Sequence, residues 1–414
     1  MAKTSSSQVF DMAIVGAGPV GATLALAASR LGLSVAVIDA RDPAATPPRD
    51  TRNFAVVRGS WNLLGFCGLT KALRAGAEPL RGLEATDGAP HMFGAPTALF
   101  TGDDLDSGEE DGLLGYMVEA EALQRALDAA LGESRDLTWL APARFRGFER
   151  SGELITAQLD GAEDVAARVL VGCDGLNSPV RTAAGIGVEG RRYGKSVFAA
   201  DVSLSRPHGG IARQLFTPEG PFATLPLKGA RANLAWYMAE GAAEALASQP
   251  TTAQNAELNA RFADFAGEMA IDGPVSAYPL ILQVARSMAA ERVALVGDAA
   301  RRINPLAGQG LNLGFKDVAA LAEACAGQVR AGLDPGSALA LERYQRARRL
   351  DANATALGMD LIDRVFSNDN GMLKPLRGLA LAFAERAAPV RQALARQASA
   401  AQDHLPELMK APPH

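Results

Sequence analysis

Histidine and cysteine are scarce in this chain, four and three among 414 residues. Cys67, Cys173 and Cys325 lie far apart, which argues against a disulfide framework or a cysteine-based zinc site and fits a reducing cytoplasm. No metal site is expected. His91, His208, His404 and His414 form no recognisable catalytic cluster, so each reads as a surface or packing residue. There is no long basic run and the formal net charge is −5, which makes nucleic acid an unsuitable partner. An unbroken apolar span is also missing. Met12 to Ser29 carries no charge and has the length of a membrane crossing, but Gly16, Gly18, Pro19 and Gly21 interrupt it. No basic segment leads into an apolar core near Met1, so no secretory signal is expected, and Met1 to Gln8 reads as a frayed polar tail.

What is present is ordinary in bulk and specific in detail. Hydrophobic residues make up 48% and charged residues 21%, a soluble globular balance, and the length suffices for two or three domains. The apolar strand Val9 to Val15 runs into Gly16-Ala17-Gly18-Pro19-Val20-Gly21 and then an alanine-rich helix. A second strand, Ser34 to Ile38, ends on Asp39. Gly16 permits the tight turn, Gly18 lets backbone approach a pyrophosphate, and Gly21 lets helix pack close to strand. The helix N-terminus offers free N–H groups to phosphate, and Asp39, about 20 residues on, suits a ribose hydroxyl. Together these elements predict a bound dinucleotide.

Further along, Asp42 to Asp50 reads as a loop, Asn53 to Leu64 as a helix, Gly82 to Gly112 as short strands and turns, and Glu119 to Leu131 as a helix. Strands are expected at Leu137–Leu140, Ala143–Phe148 and Ala166–Val171. From Ser196 to about Met238 the pattern has period two, with Phe198, Ala200, Val202 and Leu204 alternating with polar neighbours. This predicts an antiparallel sheet inserted into the dinucleotide domain. Thr251 to Glu268 reads as a helix, Arg292 to Val296 as a buried parallel strand, a helix starts near Gly310, and the chain from about Ser337 is helical.

Two more motifs follow apolar strands. One is Asp174-Gly175-Leu176-Asn177-Ser178-Pro179-Val180-Arg181. The other is Gly297-Asp298, leading to Asn304-Pro305-Leu306-Ala307-Gly308-Gln309-Gly310-Leu311-Asn312-Leu313-Gly314. Alone, each glycine–aspartate pair is a turn, but all three motifs sit where open α/β sheets place ligands. With Asp50–Ala55, Gly115–Glu119, Leu123–Leu127, Gly220–Leu227, Tyr344–Arg349 and Leu361–Asp369, the set resembles the FAD-dependent aromatic hydroxylases (class A flavoprotein monooxygenases), and within them the ubiquinone-biosynthesis hydroxylases.

The resemblance implies an α/β protein with a Rossmann-like FAD-binding domain, an inserted antiparallel substrate sheet and a helical C-terminal region. The expected divisions are 1–80, 111–190 and 276–336 for FAD, 81–110 and 191–275 for substrate, and 337–414 for the helical region. Gly16, Gly18, Gly21 and Asp39 would hold the ADP half of a tightly but non-covalently bound FAD. Arg52 would sit near the flavin or its pyrophosphate. Asp174 and Gly175 would serve FAD and the transient NAD(P)H, and Asp298 the ribityl chain. Pro305, Gly308, Gln309, Gly310, Leu311 and Asn312 would line the isoalloxazine ring, with Pro305, Gly308 and Gln309 closest to where O2 is activated. No side chain is assigned as acid or base. NAD(P)H has no Rossmann unit of its own, since no second strand–glycine-loop–helix unit occurs. The implied reaction hydroxylates an electron-rich phenol ring, free or polyprenylated.

The chain departs from the family in Arg301-Arg302 and Asn304-Pro305, where His and His-Pro are common, and in Ala120-Glu121, where Asn-Arg often follows Val-Glu. These departures bear on substrate and finer contacts. They also keep open a non-catalytic assembly subunit of a hydroxylase complex. A flavin-dependent halogenase or prenyl reductase is the enzymatic alternative, although no Trp-x-Trp-x-Ile-Pro segment is present. Arg41 fits an adenosine phosphate or plain solvation equally. Arg343, Arg346, Arg348 and Arg349 read as a solvated helical face. Leu376, Ala380, Phe383, Ala387, Val390 and Leu394, interrupted by Pro389, recur at helical spacing among arginines. Core packing is the first explanation of that stripe. A peripheral position on the inner membrane face, or a contact within a hydroxylase complex, is the second. The location is otherwise cytoplasmic, and the oligomeric state is open.

Overall fold

The computed structural model describes residues 8–45, 50–88, 97–104, 112–302, 309–348 and 405–410. An eight-stranded sheet forms the base. Its path places Val293–Leu295, Val165–Gly172, Val9–Val15, Val35–Ile38 and Leu137–Leu140 side by side, all parallel, with Ala289–Ala290 at one edge. The central strands are largely buried runs rich in Val, Ile, Leu and Ala, with Leu137–Leu140 half-buried beyond them, as a parallel sheet covered on both faces requires. The chain leaves Val9–Val15 toward Val35–Ile38 on one side, while Val165–Gly172 joins it on the other. That reversal is a topological switch point, where the strand ends leave a crevice for a ligand.

Two helices matter to the crevice. Pro19–Arg30 starts directly after the first glycine turn with Pro at its first position, where no donor is lost. Gln309–Arg330 packs against it. In Ala120–Glu133, Leu123, Leu127 and Leu131 recur every fourth residue and are buried.

A nine-stranded sheet lies over the crevice. Its path runs from Arg301–Arg302 through Ser276–Ala285, Val188–Leu204, Arg231–Ala239, Gly220–Leu227, Ile211–Thr217 and Gly82–Asp87 to Thr97–Thr101. Phe198, Ala200, Val202, Phe222, Leu234 and Trp236 take one face and pack under the helix Thr251–Ala266 with Leu258 and Phe262. The intervening residues take the other face. Ser276–Ala285 belongs to this sheet, although the boundary at residue 276 assigns it to the FAD-binding part. It pairs along most of the 17-residue strand Val188–Leu204, which is long enough to serve both layers.

A third sheet of three strands, Asn53–Val57, Gly115–Glu119 and Glu78–Leu80, closes the side. The helix expected over Asn53 to Leu64 is therefore a strand followed by the helix Arg58–Phe66. Phe54, Val57, Trp61 and Leu64 keep helical spacing across the junction, but pairing with Gly115–Glu119 claims the first five residues. The hairpin Arg144–Ser151 and Leu154–Asp160 extends the base sheet. Residues 338–348 are helical, and the apolar stripe from Leu376 to Leu394 lies outside the described residues. Among those described, no helix is long and apolar enough to cross a membrane.

Candidate functional site

Register explains why three motifs far apart in sequence meet. Val15 pairs with Gly172, and Gly172 pairs with Leu295. The loops beginning at Gly16, Cys173 and Val296 therefore leave three adjacent strand ends. Backbone bonds lock them together, Cys173 N–H to the Val15 carbonyl at 2.8 Å and Val296 N–H to the Gly172 carbonyl at 3.0 Å.

The glycines of the first loop differ in what they permit. Gly16 has φ +101°, and a Cβ there would lie 2.4 Å from the Cys173 carbonyl oxygen. A Cβ on Gly21 would lie 1.9 Å from the Gly16 carbonyl oxygen. Both positions are closed by protein backbone. Gly18 lines the cleft, and a Cβ there meets nothing within 4 Å. Asp39 accepts N–H bonds from Ala17 and, at 2.6 Å, from Arg41, so its carboxylate holds the glycine turn beside the second strand. Arg41 is not simply solvated. Its guanidinium grips the Asp128 carboxylate with two bonds of 2.8 and 2.7 Å, and Gln124 ties Asp128 to the Ala17 carbonyl.

In the second loop Val180 N–H donates to one Asp174 oxygen at 2.9 Å, and the other oxygen is buried with no partner. Burial pushes the Asp174 carboxyl above its usual range, offset in part by the neighbouring Ser178, the Val180 bond and Arg181. Arg181 is buried and donates to the carbonyls of Ala299 and Leu176, both at 2.9 Å, which fastens the second loop to the third. Cys173 is a free thiol that burial holds well above its ordinary value, consistent with an inert packing role. His208 is a packing residue too, its Nε2 against the Leu227 and Gly229 carbonyls and its Nδ1 accepting from Gly210 N–H.

The third loop divides its two arginines. Arg301 and Arg302 form a short extended segment paired with Val284 and Gln283, so they point to opposite sides. Arg302 faces the cleft with Asp298 and Tyr278. Arg301 turns into the core, where it and Arg348 donate to one Asp317 oxygen, so Arg348 is buried rather than part of a solvated arginine face, whereas Arg343 and Arg346 are exposed as expected. The Asp298 carboxyl opens into the cleft but is walled by protein. Burial raises it, against the pull of Arg302, Arg52 and Arg301. Pro305 and Gly308 lie outside the described residues, and Gln309 is described only as the first residue of its helix. Gly310 and Leu311 line the cleft. Asn312 does not show its side chain there. Its Oδ1 accepts from Val57 N–H at 3.1 Å and its Nδ2 donates to the Ala55 carbonyl at 2.7 Å, which binds the helix to the strand Asn53–Val57.

The resulting cleft holds about 650 Å³ and joins Gly18, Arg52, Gly175, Asp298, Gly310 and Leu311. Arg52 is 70% exposed, bonded to Asp50 through two nitrogens and set over the Phe54 ring. The roof brings residues that sequence patterning did not single out. Asp201, Arg231, Asn233, Ser276 and Tyr278 come from the large sheet, and Asn53 from the small one. Asn53 and Asn233 donate to the same Asp201 oxygen at 3.0 and 2.8 Å. Burial raises the Asp201 carboxyl despite those bonds and Arg231. The one available signal was phase, since Asp201 and Asn233 fall on the face opposite the apolar series. The residues present fit a dinucleotide. One open glycine stands between two closed ones, two helix N-termini approach the crevice, and a buried carboxylate oxygen awaits a donor.

Comparison with known proteins agrees with this geometry. Residues 9–356 match the family described as FAD binding domain. The chain is 38% identical to the ubiquinone hydroxylase UbiL of Rhodospirillum rubrum, over 95% of this chain and 90% of that protein. It is 36% identical to the 3-demethoxyubiquinol 3-hydroxylase of Escherichia coli, over 94% and 98%. Among solved structures, the p-nitrophenol 4-monooxygenase PnpA of Pseudomonas putida superimposes with a TM-score of 0.75 at 19% identity, over 94% of this chain and 98% of that one.

Proposed function

This chain belongs to the FAD-dependent aromatic-ring hydroxylases of the ubiquinone-biosynthesis type, and on that premise we propose that it inserts one oxygen atom of O2 into the ring of a phenolic, polyprenylated ubiquinone precursor, with NAD(P)H as transient reductant. The observation that carries this reading is the convergence of three nucleotide-binding loops on one cleft roofed by a polar face of the large sheet. FAD, when bound, supplies the redox chemistry and oxygen activation that side chains lack.

The chain's own residues bind and orient. Gly18 gives backbone access to the pyrophosphate, Gly16 and Gly21 fix the turn, and Asp39 takes the ribose. Asp174 and Gly175 serve both nucleotides, Asp298 takes the ribityl chain, and Arg52 stands at the open edge. Pro305 and residues 308–311 would form the ring environment, with Asn312 holding their helix against the strand Asn53–Val57. Asp201, fixed by Asn53 and Asn233, accepts the ring hydroxyl and keeps the electron-rich position in register. Roof and floor together exclude water. Arg301 leaves the cleft for the core, so that departure does not remove a group from the site, and a catalytic reading is favoured over an assembly subunit. A prenylated substrate places the enzyme at the inner face of the membrane or in a hydroxylase complex.

The test is direct. Purified protein is expected to carry flavin absorbance and to consume NAD(P)H and O2 with a demethoxylated quinol or a phenol lacking that ring oxygen, the product gaining one oxygen atom. A colourless preparation that added FAD does not restore overturns the reading. Lack of affinity for anionic vesicles overturns the membrane placement alone.

A further inference from the structure

The departure at Ala120-Glu121 falls in the first turn of the helix Ala120–Glu133. Three side chains of that helix, spaced three and four residues apart and so on one face, reach the loops of the cleft. Asp128 takes the Arg41 guanidinium, Gln124 donates to the Ala17 carbonyl at 2.9 Å, and Glu121 Oε1 accepts from the Asp50 backbone N–H at 3.0 Å. The first two brace the glycine turn. The third braces the segment that carries Arg52. Ala120 N–H donates to the Arg52 carbonyl at 2.9 Å, so residues 50 to 52 are fastened to the helix start at both ends. Between these anchors the Asp50 carboxylate accepts from the Arg52 backbone N–H at 3.0 Å, from Nε at 2.8 Å and from Nη2 at 2.6 Å. Glu121 thus reaches the Arg52 guanidinium in two steps, fixing the Asp50 backbone, whose carboxylate fixes the arginine. All three residues line the cleft. An exposed arginine loses much rotamer freedom when it grips a ligand, and a partner that already holds it lowers that cost.

We propose that Glu121 is a positioning residue for Arg52, ordering its guanidinium in advance at the open edge of the cleft for the pyrophosphate of a dinucleotide, either the resident FAD or the visiting NAD(P)H. The proposal rests on the reading of the cleft as an FAD site. The benefit lies in the hydrogen bond that Glu121 accepts and not in its charge. A carboxylate by itself opposes an anion at this edge, and only the exposed Arg125, at 3.5 Å, stands against it. Bond and charge are therefore separable by substitution.

The experiment uses the full chain and compares wild type with Glu121→Ala, Glu121→Gln, Arg52→Ala and the double variant Glu121→Ala/Arg52→Ala. FAD affinity is read by fluorescence titration of apoprotein, the KM for NAD(P)H on FAD-loaded protein, and thermal stability in parallel. Glu121 is one-third exposed and alanine favours the helix, so the alanine variant keeps the fold. Glu121→Ala is expected to weaken FAD binding or to raise the KM for NAD(P)H by about threefold or more, and the constant that moves identifies the pyrophosphate served. Glu121→Gln, whose amide oxygen still accepts from Asp50 N–H, is expected to stay under threefold in both. In the Arg52→Ala background, loss of Glu121 is expected to change neither constant by as much as threefold, because no guanidinium is left to position. The proposal is overturned if Glu121→Ala weakens neither constant, if Glu121→Gln changes as far as Glu121→Ala, or if the effects of losing Glu121 and Arg52 add. Wild-type protein that binds no FAD overturns the site reading itself and this proposal with it.

Discussion

Gly18 and Gly21 stand three positions apart in one loop, yet the structure predicts opposite consequences for the same substitution. Gly21→Ala puts a methyl 1.9 Å from the Gly16 carbonyl oxygen and 2.9 Å from the Cys173 Cβ. The first is backbone, held by the Gly16 bond to Ile38, so nothing yields without moving the helix Pro19–Arg30. Alanine gains about 1 kcal/mol of helix propensity, and an overpacked contact of this kind costs about 3 kcal/mol or more, a net loss of roughly 2 kcal/mol. Gly18 has φ −65° and ψ 178°, an ordinary extended conformation. Alanine there gains about 0.4–1 kcal/mol by restricting the unfolded chain and loses roughly as much as a poorer helix N-cap. Its methyl meets no protein atom within 4 Å and projects into the cleft that the proposed function assigns to the pyrophosphate. Gly18→Ala is therefore expected to leave the apoprotein's urea midpoint nearly unchanged while weakening FAD binding at least tenfold, about 1.4 kcal/mol, as read by flavin fluorescence titration. If Gly18→Ala binds FAD like wild type, or destabilises the apoprotein as much as Gly21→Ala, the assignment of the open glycine to the ligand is wrong.

Four further outcomes follow from the same geometry. Burial raises the Asp174 carboxyl, so the native state holds that proton more tightly than the unfolded chain, and stability falls as pH rises from the ordinary aspartate range through the raised value. Asp174→Asn should then be more stable than wild type as apoprotein at pH 7, the gap closing below the ordinary range in thermal melts, and an equal gap at both pH values refutes this. Arg41→Ala breaks a pair whose side chains are about a quarter exposed and should cost about 1 kcal/mol with FAD affinity within threefold, whereas a tenfold loss would put Arg41 on a phosphate. Asn312→Ala strands Val57 N–H and the Ala55 carbonyl, both buried, at about 2–4 kcal/mol, measurable by denaturation. Asp201→Asn should raise KM for the phenol more than it affects NAD(P)H oxidation without substrate, and a parallel change in both would remove Asp201 from substrate recognition.

The base sheet was readable because its signals are local and redundant. Val9–Val15, Val35–Ile38 and Val165–Gly172 are apolar runs that end in glycine or aspartate, and both ends of each are marked. Leu137–Leu140 was placed to the residue. Asn53–Val57 was not, because Phe54, Val57, Trp61 and Leu64 carry a helical period through a strand whose stability comes from Gly115–Glu119 and from the Asn312 side chain, about 60 and 255 residues away. The membership of Ser276–Ala285 likewise depends on the length of a strand earlier in the chain.

The site divides in the same way. Its floor is built from backbone demands, a positive φ at Gly16, no room for a Cβ at Gly21, adjacent strand ends at Val15, Gly172 and Leu295, and glycine is the only residue that meets such demands. Sequence therefore displays them. The roof is built from side chains on one face of period-two strands, where Asp201 opposite Asn233 looks like any pair facing water. The small sheet, which brings Asn53 onto Asp201, and the base-sheet loops across the cleft make that face interior. A floor fixed by backbone geometry tolerates little change, whereas roof side chains vary without disturbing the fold. Under the proposed function, discrimination among phenolic substrates would therefore belong to roof side chains such as Asp201 and Asn233, and retention of the cofactor to the three loops beneath them.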